Sequence, residues 1–403
     1  MSQRSGAFSR ERLGRMADAM RGYVDRGEVA GVVTLLCRHD EVHVEAIGAQ
    51  DLATATPVRR DTIFRIASMT KPITAAAAMI LVEEAKLRLD EPVDRWLPEL
   101  GHRTVLRGID SPLDDTVPAH RPITLRDLLT FRLGFGAIMV FPDRYPIQKA
   151  MTEAGLGPGP NTLAFSPDAF LARLGGLPLM HQPGEQWMYH TGSDILGVLI
   201  ARASGMTLGD FLQERIFAPL GMKDTAFSVP EAKLDRLATC YQMDAGTGRL
   251  VIYDEARGGR WARPPVFPSG GGGLVSTADD YLAFARMMLS RGWYGKERML
   301  ARPTVELMTT DQLTPEQKAA SPFVPGFWDG HGWGFGLAVI TRRDGVGLSS
   351  GSYGWDGGFT TSCYTDPQED MVAILLVQRL MNSPTPSDFY SDFWTLAYQA
   401  IDD

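Results

Sequence analysis

Apolar positions at the two ends of the chain predict the parts of one β-sheet with helices beside it. Leu13, Met16 and Met20 recur at helical spacing near the N-terminus, and the apolar runs 32–37 and 42–47 follow as a β-hairpin. Towards the C-terminus the pattern predicts three β-rich runs and a last amphipathic helix, at residues 333–340, 359–364, 371–377 and 387–400. Because both ends supply strands and a helix, they can close one antiparallel sheet flanked by the terminal helices.

The middle of the chain is predicted to be mostly helical. The helices expected there cover residues 69–89, 123–129, 194–203, 207–218 and 277–291. Thr124 is placed as the N-cap of the second of these, with Asp127 three residues later. The fold class is therefore α/β (α+β), with an antiparallel sheet domain at residues 1–66 and 232–403. An inserted helical domain covers residues 67–231, and the active site is expected where the two domains meet.

Composition and charge narrow the class of protein. The 403-residue chain is 44% hydrophobic and 22% charged, which are ordinary values for a globular protein. Its 48 acidic residues outnumber the 40 basic ones, which argues against a nucleic-acid partner. The sequence has no run of about 18 apolar residues and no N-terminal apolar run. We therefore expect no membrane span and a cytoplasmic location, and homo-oligomers stay open.

The cysteines and histidines show no spacing typical of a metal or redox site. Cys37, Cys240 and Cys363 are far apart and lie among apolar neighbours, so we predict reduced thiols in or near the core. Neither a metal nor an organic cofactor is expected.

Ser68 and Lys71 form the strongest chemical signal. They lie one turn apart at the start of an Ala-rich helix, so their side chains share a face and can meet. The Ser68 N–H lacks an intrahelical partner there and can point at an oxyanion. The positive helix end and partial burial lower the pKa of Lys71, which makes a neutral amine available. A serine three residues before a lysine is common, and it is this placement that indicates an activated nucleophile.

Two later segments can complete such a site. Tyr189 follows a Pro-Gly turn, and a tyrosine close to a lysine can exchange a proton with Ser68 and with a leaving group. Gly357 and Gly358 precede a predicted strand, where glycines let the backbone approach a substrate and offer the Gly358 N–H as a second oxyanion donor. Taken alone, Tyr189 fits an aromatic loop anchor equally well, and the glycines fit a hairpin turn.

The order of these motifs resembles the serine β-lactamases and penicillin-binding proteins, particularly class C β-lactamases. Ser-x-x-Lys comes first, then a Tyr motif, then a Gly motif on a late strand, and further similar stretches lie at residues 64–67, 123–129, 183–184, 215–222 and 271–280. The resemblance covers about residues 20 to 380. It implies a β-lactamase/transpeptidase-like fold with Ser68, Lys71 and Tyr189 as the catalytic group.

Two departures from class C point to esters. Thr191 stands where those enzymes carry the Asn of Tyr-x-Asn, and Trp355-Asp356-Gly357 stands where they carry Lys-Thr-Gly. A carboxylate-bearing lactam would lose a cation there and meet an anion, a mismatch that costs on the order of several kcal/mol. Trp-x-Gly in this place resembles the family VIII carboxylesterases. The resemblance implies a short- to medium-chain ester held by Gly357 and by aromatic walls, for which we propose Trp355, Trp187, Phe135 and Tyr353.

The sequence therefore predicts a serine carboxylesterase working through an acyl-enzyme on Ser68. Lys71 and Tyr189 relay the proton, in an order that the sequence leaves open, and the N–H groups of Ser68 and Gly358 hold the oxyanion. The alternatives are a β-lactamase, a D-amino-acid peptidase or an acyltransferase on the same fold, with weak β-lactamase activity as a side reaction. A catalytically silent binding protein is the alternative from another class, and it has no need of all three side chains.

A second serine motif competes with this interpretation. Residues 347–351 spell Gly-x-Ser-x-Gly, the nucleophile elbow of α/β-hydrolases, with Ser349 at its centre. That motif requires a strand-to-helix turn and a later histidine, whereas the last histidine here is His331. We therefore expect Ser349 to be an exposed loop residue with no part in catalysis.

Overall fold

The computed structural model describes residues 6–140, 142–157, 159, 162–383 and 387–403. Its strands, in chain order, are β1 (Gly31–Arg38), β2 (Glu41–Asp51), β3 (Thr56–Pro57), β4 (Phe64–Arg65), β5 (Thr104–Leu106), β6 (Thr116–Pro118), β7 (Cys240–Met243), β8 (Leu250–Asp254), β9 (Val275–Ser276), β10 (Trp293–Tyr294), β11 (Glu297–Arg298), β12 (His331–Trp333), β13 (Ala338–Ile340), β14 (Tyr353–Gly357), β15 (Thr361–Asp366) and β16 (Met371–Val377). Eight of them form one large sheet, and the others pair in twos.

The large sheet joins the two ends of the chain, as the hydrophobic pattern predicts. Its spatial order is β12-β13-β14-β15-β16-β1-β2-β3, with antiparallel pairing throughout. The central strand β1 pairs with β2 through Val32 and Ile47, and with β16 through Val33 and Leu376. The predicted hairpin and the predicted strand 371–377 are therefore both confirmed.

The described residues form thirteen α-helices. They are α1 (Arg10–Asp25), α2 (Thr70–Glu83), α3 (Leu125–Leu129), α4 (Pro146–Glu153), α5 (Pro167–Gly175), α6 (Thr191–Ser204), α7 (Leu208–Leu212), α8 (Ala218–Leu220), α9 (Ala278–Leu289), α10 (Arg302–Met308), α11 (Pro315–Ala319), α12 (Phe327–Gly330) and α13 (Asp388–Gln399). The terminal helices α1 and α13 pack together, and α1 buries the predicted stripe of Leu13, Met16 and Met20. Helix α9 packs against β15 and β16, and α2 packs against α6.

Two predicted elements end where the backbone turns left-handed. The strand predicted at 333–340 is a hairpin of β12 and β13, because Gly336 has φ +67° and passes so close to the Lys71 carbonyl that a Cβ would lie 3.0 Å from its oxygen. The helix predicted to run to residue 89 ends at Glu83, shortly before Ala85 with φ +57°.

The three cysteines are buried as free thiols. Cys37, Cys240 and Cys363 are buried and unpaired, and burial raises the pKa of the Cys240 thiol to about 12.

In the part of the chain described, no single helix has the length and apolar character to cross a bilayer. Within the same described part, the helical segments Thr191–Ser204 and Leu208–Leu220 have that length and apolar character only when they are taken together. The two segments are bent by 82° relative to each other.

A buried ion pair holds the segment that leads to Ser68. Arg65 on β4 donates from Nε to Asp254 Oδ2 on β8 over 2.9 Å, and from Nη1 to the Ala238 carbonyl over 2.5 Å. The side chains of Arg65 and Asp254 are only 1% and 4% exposed. Arg65 lies three positions before Ser68, so the ion pair fixes where the turn that carries Ser68 begins.

Replacing Asp254 with Ala is expected to destabilise the protein strongly, because the Arg65 guanidinium would stay buried without its carboxylate. Breaking a buried pair in this way costs about 3–5 kcal/mol. The matched control is Asp279→Ala, since Asp279 pairs with Arg60 on the surface and surface pairs contribute roughly 0–1 kcal/mol. Urea unfolding measures both values, and equal small losses would contradict the role given to the buried pair.

Candidate active site

Ser68 lies in a 3₁₀ turn, Ala67–Met69, between β4 and α2. Ala67 has φ +43°, a left-handed conformation that is uncommon for a residue with a side chain. The turn is held from both sides, because the Met69 N–H donates to the Ile66 carbonyl over 3.1 Å and the Tyr281 hydroxyl donates to the Met69 carbonyl over 2.9 Å. A strained backbone held by its surroundings is typical of functional sites.

Lys71 is buried directly beside the Ser68 hydroxyl. Its Nζ lies 2.7 Å from Ser68 Oγ and 2.5 Å from the Gly271 carbonyl oxygen, and the side chain is almost inaccessible to solvent. Burial lowers the pKa of Lys71 to about 7, and the carboxylate of Asp194 partly opposes that shift. A large fraction of the lysine is therefore a neutral amine near pH 7, as the sequence predicts.

Two residues near Lys71 come from the start of α6. Asp194 lies in the first turn of this helix, and His190 is its N-cap residue. Asp194 Oδ1 accepts from the Ser269 hydroxyl over 2.6 Å and from the Gly271 N–H over 3.0 Å. Gly271, whose carbonyl accepts a hydrogen bond from the Lys71 amine, is therefore itself held by Asp194. Burial, with Lys71 as a second cause, lowers the pKa of His190 to about 4, so the imidazole is neutral at pH 7.

Tyr189 meets both Ser68 and Lys71. Its hydroxyl is hydrogen-bonded to Ser68, and Lys71 Nζ lies 4.7 Å from the centre of its ring. Trp355 Nε1 donates to Tyr189 Oη over 2.7 Å. Burial raises the pKa of Tyr189 well above its usual value, and the hydrogen bonds with Ser68 and Trp355 oppose this shift. At pH 7 Tyr189 is a phenol and a proton donor, while Lys71 is the group of the pair that titrates near neutrality.

The two expected oxyanion donors face the same site. Among the described residues, neither the Ser68 N–H nor the Gly358 N–H donates to a protein acceptor. A Cβ on Gly358 would meet nothing within 4 Å, whereas a Cβ on Gly357 would lie 2.4 Å from the Ile66 carbonyl oxygen. Gly357 therefore lets β14 lie against the nucleophile turn, and Gly358 opens onto the cavity.

A cavity of about 1300 Å³ extends from this group of side chains. Ser68, Lys71, Tyr189, Trp355 and Gly358 all line it. Further walls come from aromatic side chains that the sequence analysis did not propose, namely Phe323, Phe327, Tyr390 and Trp394. Within the described ranges, no group of three or more His, Cys, Asp or Glu side chains is arranged to hold a metal ion.

Three of the proposed substrate walls do not line the cavity. Phe135 is fully buried in the core, and Tyr353 packs beside Pro72, away from the large cavity. Trp187 lies behind Tyr189, with their ring centres 5.8 Å apart, and is buried against other rings. Only Trp355 and Gly357 of the predicted substrate-binding residues line the cavity.

The expectation of an exposed Ser349 is also wrong. Its side chain is about 1% accessible, because Arg343 donates to its hydroxyl and its own N–H donates to Asp366 Oδ2 over 3.1 Å. Ser349 does not line the cavity, and no histidine contacts it in the described chain. It is a buried structural serine, and neither the elbow geometry nor a catalytic base is present.

Comparisons with known proteins show the family and the fold to which the chain is similar. A family model described as Beta-lactamase matches residues 16–393. Protein Rv1367c of Mycobacterium tuberculosis is 40% identical over 89% of this chain and 88% of its own length. Lovastatin esterase of Penicillium rubens is 31% identical over 92% of this chain and 93% of its own. The structure of EstCE1, a hydrolase with promiscuous acyltransferase activity, superposes with a TM-score of 0.79 at 25% identity, covering 96% of this chain and 99% of that one.

The environment of Lys71 predicts the pH dependence of the site. Only the neutral amine can accept a proton, so kcat/KM for a p-nitrophenyl ester should rise with pH through a midpoint of about 7. Because Asp194 raises the pKa of Lys71, Asp194→Asn should move that midpoint to a lower pH. Stopped-flow rates between pH 5 and 9 measure both, and a flat profile or an upward movement in Asp194→Asn would contradict the assignment.

Proposed function

The chain belongs to the β-lactamase family, and on that premise we propose that it is a serine carboxylesterase that hydrolyses esters through an acyl-enzyme on Ser68. The observation that carries the proposal is the buried Lys71 amine 2.7 Å from Ser68 Oγ, inside a large cavity with aromatic walls. A serine beside a neutral amine is an activated nucleophile, and the apolar cavity suits the hydrocarbon parts of an ester.

In this mechanism Ser68 Oγ attacks the ester carbonyl carbon while its proton passes to Lys71 Nζ. The carbonyl oxygen becomes an oxyanion that the Ser68 and Gly358 N–H groups hold. The tetrahedral intermediate then collapses, the ester C–O bond breaks, and Tyr189 gives the leaving alkoxide a proton that the Lys71 ammonium replaces. A water molecule repeats the attack on the acyl-enzyme with the same pair as base and acid, which releases the carboxylic acid and frees Ser68.

The edge of the site favours esters over β-lactams. Trp355 donates an indole N–H to Tyr189 Oη at the position where the resemblance to class C enzymes would place a lysine ammonium. Asp356 follows it in the cavity wall, so a substrate carboxylate at this place would meet a like charge where class C enzymes offer a lysine. The lovastatin esterase relative supports the same choice of substrate class.

An acyltransferase is the second candidate. The cavity of about 1300 Å³ is larger than a short acyl group needs, and it can hold an acceptor alcohol in place of water. EstCE1 is described as a hydrolase with promiscuous acyltransferase activity. Adding a primary alcohol to an ester assay separates the two, since an acyltransferase forms a new ester faster than it releases acid.

A substrate panel tests the proposal. We expect p-nitrophenyl butyrate to exceed nitrocefin in kcat/KM by several orders of magnitude, because the site lacks a cation for the lactam carboxylate. Ser68→Ala should lower kcat on the ester by about 10⁴–10⁶, whereas Ser349→Ala should keep kcat within about threefold once folding is confirmed by circular dichroism. Equal rates on the two substrates would return the assignment to β-lactamase, and full activity in Ser68→Ala would end the proposal.

A further inference from the structure

We propose that the cavity recognises an ester with a cationic group, a quaternary or alkylated ammonium, which binds between the Asp356 carboxylate and the rings of Tyr364, Tyr390 and Trp394. This inference rests on the proposed esterase function and names the class of its substrate. The proposal goes further than the exclusion of a substrate carboxylate, because it assigns a binding site to a positively charged substrate group.

Asp356 is a carboxylate in the wall of the substrate cavity. It is the fourth residue of β14 and comes directly after Trp355, whose indole touches Tyr189. Its side chain is half-buried and lines the cavity together with Ser68. Its negative charge also raises the pKa of Tyr189, which indicates that it lies close to the reacting groups.

The carboxylate has hydroxyl partners and no cationic one. Asp356 Oδ1 accepts from the Ser362 hydroxyl over 2.7 Å and from the Tyr390 hydroxyl, and Tyr364 hydrogen-bonds to the same carboxylate. No Lys, Arg or His of the described chain forms an ion pair with it or lowers its pKa. A poorly solvated carboxylate without a counter-charge is costly, and a bound cation would supply that charge.

Two tyrosines that hydrogen-bond to the same carboxylate pack against the Trp394 ring. Tyr364 comes from β15, and Tyr390 and Trp394 lie one turn apart on α13. The Trp394 ring packs edge-on against Tyr364 at 5.3 Å between centres and tilts towards Tyr390 at 6.3 Å, and all three residues line the cavity. Rings around an anion form the arrangement that binds quaternary ammonium groups, because ring faces and carboxylate both attract positive charge.

The remaining charges in the cavity do not favour an anion. Of the basic residues that line it, Lys71 is held by Ser68 and Gly271, and Arg342 is exposed on the loop after β13. The two lining histidines, His190 and His331, have pKa values lowered by burial and are neutral at pH 7. None of these four basic residues forms an ion pair with Asp356 in the described part of the chain, so a cationic substrate group would not compete with a counter-charge there.

Two matched substrate pairs test the inference, one for each side of the ester. The first compares butyrylthiocholine with the 3,3-dimethylbutyl thioester of butyric acid. The second compares p-nitrophenyl esters of 4-(trimethylammonio)butanoic acid and 5,5-dimethylhexanoic acid. In each pair a trimethylammonium group replaces a tert-butyl group of the same shape, so the ratio of kcat/KM values reports recognition of charge.

In Asp356→Asn, we expect the kcat/KM of the trimethylammonium ester relative to that of its tert-butyl partner to fall at least tenfold in at least one pair. The matched control is Asp392→Asn, because Asp392 on α13 also accepts from a tyrosine, Tyr23 over 2.7 Å, but does not line the cavity. Its ratios should equal those of the wild type. Unchanged ratios in Asp356→Asn for both pairs would overturn the inference and leave Asp356 as a structural acceptor for Tyr390.

A pH series on the wild-type protein serves if Asp356→Asn does not fold. Burial raises the pKa of Asp356 to about 6, so the carboxylate loses its charge as the pH falls through that value. The groups facing it are the hydroxyls of Ser362, Tyr364 and Tyr390, with Tyr189 nearby, and all of these are neutral between pH 5 and 8. The titration of Lys71 affects both esters of a pair, so the ratio of their kcat/KM values reports the charge of Asp356. This ratio should decrease as the pH falls below about 6, and a constant ratio would overturn the inference. Hydrolysis of the neutral esters without any preference would leave the esterase proposal standing, whereas no hydrolysis of any ester would end that proposal itself.

Discussion

A single amine, Lys71 Nζ, links Ser68 to the rest of the molecule. It lies 2.7 Å from Ser68 Oγ on its own helix and 2.5 Å from the Gly271 carbonyl, which comes from a loop 200 residues later in the chain. The burial that lowers its pKa to about 7 requires a closed core around the first turn of α2. The carboxylate of Asp194 partly opposes that lowering of the Lys71 pKa.

The packing around α2 shows how the fold produces that burial. Gly336, in the turn between β12 and β13, passes close to the Lys71 carbonyl, and Gly357 lets β14 lie against the Ile66 carbonyl. Both contacts bring the edge of the large sheet against the start of α2, where Ser68 stands. Side chains at either glycine would separate the sheet from the helix, and the amine would become solvated. The strained Ala67 backbone persists because these neighbours hold the turn on every side.

Local signals in the sequence were enough to predict that Ser68 and Lys71 meet, and to predict most of the fold. Ser68 and Lys71 meet because three residues make one helical turn, and the strands β1, β2 and β16 follow from the apolar runs at residues 32–37, 42–47 and 371–377. The substrate walls could not be found in this way, because an aromatic residue can face either a core or a cavity with the same local pattern. Trp187 and Phe135 fill the core, whereas Tyr390 and Trp394 line the cavity from a helix whose spacing predicts only amphipathicity. The burial of Ser349 likewise depends on Arg343 and Asp366, and Asp366 lies 17 residues from it.

Covalent labelling tests the central claim, that Ser68 is the nucleophile activated by Lys71. A fluorophosphonate reacts with an activated serine and stays attached, and peptide mapping by mass spectrometry identifies the residue. The account predicts one label per chain, on the peptide that contains Ser68, and a labelling rate that falls in Lys71→Ala. A label on the peptide containing Ser349, or a Ser68 label whose rate is unchanged in Lys71→Ala, would contradict the account.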